Sequence, residues 1–165
     1  MIQTLTVIQF LIPFLLLLVF FCLYKKEYRF MKVFMWKMVM LPSASKLYAN
    51  LVVLLLILIN WCCSVTNPNA AVLLSSAIAM LMLNRRIVTS TLHLLHERKR
   101  LWFATLLVSL VSYAIPYMNS IFLLLFILCM ASVFYPSEKV FRMMTADKDG
   151  DKTKEHLSLI IKNYY

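Results

Sequence analysis

The tightest chemical grouping in the chain is His93-Leu94-Leu95-His96-Glu97. Its imidazoles are three residues apart, on one face if the segment is helical, a spacing that suits two zinc ligands. A further ligand is needed, and the remaining histidine, His156, is far along in the tail. No thiolate or second acid has suitable spacing nearby. Polar residues closing a helix at a membrane surface account for the same letters, and no metal is expected.

The tail offers a second candidate, Asp147-Lys148-Asp149-Gly150-Asp151-Lys152. A calcium loop of the EF-hand type starting at Asp147 needs glycine sixth and glutamate twelfth. Gly150 is fourth and Ser158 twelfth, so the segment reads as a solvated linker. Cys22, Cys62, Cys63 and Cys129 sit in or beside apolar runs without zinc or haem spacing, and read as small packing residues.

The carboxylates decide more. Glu27, Glu97, Glu138, Asp147, Asp149, Asp151 and Glu155 all lie outside the apolar runs, in the charged connections and the tail. Proton relays, coupled transport and voltage sensing draw on ionisable groups inside the membrane. A single glycine gives little support to the broken helices of transporters. There is no nucleophile–base pair, phosphate-binding glycine loop or dinucleotide motif. The expectation is a protein without catalytic residues, cofactor or enzymatic activity.

The elements that carry these groups are apolar runs separated by alternating connections. All 17 Lys and Arg fall in 25–46, 85–100 and 139–165, while 1–24 and the turns 66–69 and 116–120 hold none. Basic segments resist translocation, so this alternation marks a chain that crosses a bilayer repeatedly with its basic loops cytoplasmic. Composition agrees: 62% apolar residues and a mean hydropathy of +0.81 are far from an ordinary soluble domain. Net charge of +10 belongs to one membrane face, and nucleic acid is not an expected partner.

The expected fold is an all-α polytopic helical bundle with about five transmembrane helices, at 2–24, 47–65, 70–83, 101–115 and 121–135. A span needs about 20 residues to cover a core of roughly 30 Å, so the last three are short, and re-entrant segments are the alternative. The first run lacks a preceding Lys or Arg and a small-residue cleavage site, and reads as an uncleaved anchor with its N-terminus outside. Pro13 is expected to kink it. Lys25, Lys26, Arg29, Lys32 and Lys37 share one helical side of 25–46, leaving Phe30, Phe34, Met35, Trp36 and Met38 mainly elsewhere. That suits an interfacial helix on anionic headgroups; a basic loop that only fixes orientation is the alternative. Arg85 and Arg86 are further candidate lipid contacts, snorkelling from the end of the third span. Residues 136–165 form a basic, amphipathic cytoplasmic tail.

Within the spans the chemistry is that of helix association. Asn50, Asn60 and Ser64 form a polar stripe, Ala71, Ser75 and Ala79 a small-residue face, and Thr105, Ser109 and Ser112 a hydroxyl face. Each serves packing inside the bundle or contact with another membrane protein or a second copy. The last span is uniformly apolar and shows no preferred face, so truncation of Leu124 is expected to be tolerated. The expected role is non-enzymatic docking in a bacterial inner membrane, as in exclusion of phage or plasmid or immunity to a pore-forming toxin. A structural subunit of a secretion or conjugation complex and a small oligomeric pore are the alternatives.

Overall fold

The computed structural model describes residues 29–137 and Val140, together with Val7, Leu11, Pro13, Leu15, 17–20 and Cys22 of the first apolar run. The described residues are helical, with no strand among them. Six helices are bounded: α1 Arg29–Met40, α2 Pro42–Thr66, α3 Ala70–Met82, α4 Arg85–Glu97, α5 Lys99–Ala114 and α6 Asn119–Val133. Lys25, Lys26, His156 and the linker aspartates lie outside the described residues, as does almost all of the predicted tail.

Local sequence explains each boundary. Pro42 stands in the first turn of α2, where its missing N–H breaks no helical hydrogen bond. The carboxamide of Asn69 caps α3, its Oδ1 accepting from the Val72 N–H at 3.1 Å. Asn84 does the same for α4, accepting from the Arg86 N–H at 3.1 Å. Between α5 and α6 the chain turns at Tyr117, whose φ of 72° is in the left-handed region that favours glycine.

Two segments differ from expectation. Residues 85–100 read as a basic connection, yet Arg85–Glu97 is a helix folded back at 101° to α3. Val88, Leu92 and Leu95 are buried at helical spacing, and this apolar stripe draws α4 onto the bundle. Arg85 and Arg86 are exposed and form the first turn of α4. The segment predicted as either interfacial helix or basic loop contains the helix α1. Its Met31, Met35 and Val39 are buried in a cluster with Val140, Phe34, Trp36 and Phe134. The methionine face is therefore turned to protein, with Phe30, Lys37 and Arg29 exposed.

α6 is the axis of the fold. It packs against α2, α3, α4 and α5, and its buried residues face every direction around the helix. This uniformly apolar helix is buried by protein around its circumference, and Leu124 is in the core at 2% exposure. The expected tolerance of truncation there is corrected: a large-to-small change at such a site typically costs about 2–5 kcal/mol.

Among the described residues one helix, α2, is long and apolar enough to cross a membrane, with a mean hydropathy of 2.1. α3 and α4 meet that test only together, as a bent pair. α6 is apolar but has 15 residues, about 22 Å at 1.5 Å per residue.

Candidate functional site

The polar side chains inside the bundle form three sets, each explained by which helices it joins. The first links α2 and α3. Ser75 Oγ donates to Asn60 Oδ1 at 2.6 Å, and Asn60 Nδ2 donates to Ser76 Oγ at 2.8 Å. Both serine hydroxyls also lie within hydrogen-bond distance of the Val72 carbonyl, at 3.0 and 2.7 Å. Ser75 and Ala79 are buried and Ala71 is half-buried, so the small-residue face is in the interior. The polar stripe divides. Asn60 enters the contact, Ser64 is half-buried, and Asn50 is exposed on the outward side of α2. Ser76, absent from the predicted set, supplies the second acceptor.

The second set joins α5 to α6. Ser109 is fully buried and donates to the Phe122 carbonyl at 3.1 Å. Ser112, also buried, donates to Val108 O at 2.8 Å, and half-buried Thr105 donates to Leu101 O at 2.8 Å. These last two bonds are internal to α5. Short side chains that satisfy themselves on their own helix leave room for the bulky residues of α6.

The third set was not visible in the sequence. Side chains from three other helices reach carbonyls near the C-terminal end of α6, where Ala131 O and Ser132 O also accept from the N–H groups of Phe134 and Tyr135. Tyr48 of α2 donates to Ala131 O at 2.8 Å, and Trp102 Nε1 of α5 donates to Cys129 O at 3.0 Å. His96 Nδ1 of α4 is 3.0 Å from Ser132 O. A carbonyl only accepts, so this bond requires the proton on Nδ1. His93 packs edge-on to Tyr135, with centroids 4.7 Å apart. The two histidines singled out as possible ligands are thus fastening points between α4 and the end of α6. Among the described residues no three His, Cys, Asp or Glu side chains come together as a metal site.

These contacts define two ends. One gathers Phe34, Tyr48, His93, Trp102 and Tyr135, with Phe20 edge-on to Phe134 at 5.6 Å. At the other, a cavity of about 300 Å³ is lined by both charge-free turns: Asn67, Asn69, Pro116, Tyr117 and Asn119. Ser120 Oγ, which borders it, is buried without a hydrogen-bond partner. No protein family, curated protein or solved structure matches the chain.

Proposed function

We propose that this chain is a polytopic integral membrane protein of a bacterial inner membrane that acts without catalysis, by docking on another membrane component. The observation that carries the reading is the inverted polarity of the bundle. Its outward residues include Leu51, Leu54, Leu58 and Trp61 on α2, Leu73 and Met80 on α3, and Phe103, Leu107 and Val111 on α5, each at least half exposed. The hydroxyl and amide groups of Ser75, Ser109 and Asn60 are meanwhile turned to protein. Soluble monomers rarely expose contiguous apolar surface on this scale. A bilayer covers it without further partners.

Segregation of charge supports the orientation. Both charge-free turns border one cavity, while Lys99 lines a different cavity, together with Trp102, Ser132 and Val133 at the clamped end of α6. In the proposed topology the turns are external, and the basic connections and C-terminus are cytoplasmic, with the N-terminus outside. Five spans require the first apolar run to cross as well, and α3, α5 and α6 to cross a locally thinned core.

The internal use of Asn60, Ser75, Ser109 and Ser112 bears on mechanism. Side chains committed to holding this bundle do not line an oligomeric pore, which weighs against the channel alternative. They also move the docking surface to the outward side of α2, where Asn50 is exposed. Within the docking class we favour exclusion of phage or plasmid, or immunity to a pore-forming toxin. Expression of this gene alone in a sensitive cell tests that choice. Protection by the single gene supports it, whereas sensitivity at verified membrane expression rejects it.

A further inference from the structure

A second cavity, of about 470 Å³, opens beside the clamped end of α6. Phe20, Trp102, Phe103 and Val133 supply apolar walls, and Lys99 and His96 stand at its rim. Two independent constraints fix its shape. The Trp102 indole is held on Cys129 O, and the His96 ring is held on Ser132 O. Neither wall has to be ordered when a ligand arrives. Lys99 is exposed and flanked by Arg98 and Arg100, with exposed Glu97 the one acid in the segment 93–100. The local field is therefore positive.

We propose that this cavity binds one anionic phospholipid, with Lys99 on the phosphate and an acyl chain between Trp102, Phe103 and Phe20. The inference rests on the membrane reading above and goes beyond it, because it assigns a stoichiometric site where general basic-face attraction needs none. The chemistry matches at both ends. An ammonium on a flexible stem meets a phosphate at the headgroup level while the stem lies along apolar surface. Aromatic rings take the apolar body at the same depth. Basic pockets between membrane helices are suited to anionic headgroups in this way. A free anion would satisfy Lys99 but leave the aromatic walls exposed.

The test uses the full chain carrying Trp36→Phe and Trp61→Phe, so that Trp102 alone fluoresces. The protein is reconstituted in phosphatidylcholine vesicles doped at equal fraction with brominated phosphatidylglycerol or brominated phosphatidylcholine. One basic group gives about a fivefold preference for the anionic lipid, so quenching of Trp102 should occur at about fivefold lower brominated phosphatidylglycerol. Lys99→Gln should bring the two lipids level, and Lys46→Gln, exposed on α2, should leave the preference intact. Equal quenching by both lipids in the unsubstituted background overturns the site. So does loss of the preference in millimolar inorganic phosphate, which would mark a simple anion site. Protein that floats with the vesicles but shows no Trp102 quenching removes the lipid site and leaves the membrane reading standing. Protein that does not float with them removes both.

Discussion

Ser75→Leu should destabilise the bundle by about 2–4 kcal/mol. Ser75 is 0% exposed and touches α2 through Asn60 at 2.6 Å. Adding a branched butyl group at a closed contact forces the helices apart, at a typical cost of about 1–3 kcal/mol. Loss of an interhelical hydrogen bond in a bilayer adds on average about 0.6 kcal/mol. Ser75→Ala isolates the second contribution and should cost under about 1 kcal/mol, since Asn60 keeps its bond to Ser76. Leu73→Ala, at a side chain 75% exposed on the same helix, is the control and should fall within about 0.5 kcal/mol of the unsubstituted protein. Unfolding in mixed dodecyl maltoside and SDS micelles, followed by circular dichroism, gives the order. Equal midpoints for Ser75→Leu and Leu73→Ala would refute the packing argument, and a Ser75→Ala loss as large as that of Ser75→Leu would assign the effect to the hydroxyl.

Other consequences can be measured the same way. Tyr48→Phe removes only the hydroxyl that meets Ala131 O and should cost about 1 kcal/mol, visible as a lower unfolding midpoint. Ser109→Leu should exceed Thr105→Leu in cost, because Ser109 is buried against Phe122 O while Thr105 bonds only its own helix; thermal aggregation in detergent would rank them. A His93→Ala, His96→Ala, His156→Ala variant should keep its cellular phenotype at matched expression, with reduced thermal stability from loss of the His96 contact to Ser132 O. Abolished phenotype, restored in a partial variant by added zinc, would point to a metal site.

What the sequence discloses depends on the kind of signal. Helical class and the positions of α2, α3, α5 and α6 follow from apolar runs punctuated by Thr66–Asn69 and Pro116–Ser120, strong local signals. α4 carried a readable signal as well: Asn84 as cap, then Val88, Leu92 and Leu95 on one face. Its arginines masked that pattern, because charge in a connection fits an unstructured loop equally well. The centrality of α6 was not legible. A helix buried all round and one bathed in lipid have the same composition, and only the tertiary arrangement separates them. The contacts of Tyr48, His96 and Trp102 were hidden for another reason. Their acceptors are backbone carbonyls, which every residue possesses. Among the candidate faces, small residues identified the interior at Ser75, Ala79, Ser109 and Ser112, where close approach is required. Asn50, on the same stripe as Asn60, is exposed, because shared direction on a helix says nothing about which side its neighbours occupy.

The central claim is that the charge-free turns and the basic connections lie on opposite sides of a membrane. Single cysteines at Asn67, Asn119, Lys32 and Arg98, placed in a background lacking the four native cysteines, test it with a membrane-impermeant maleimide on intact cells. Labelling of positions 67 and 119 from outside, with 32 and 98 reactive only after permeabilisation, is the predicted result. Labelling of position 98 in intact cells, or of 67 and 119 from opposite sides, would contradict the account.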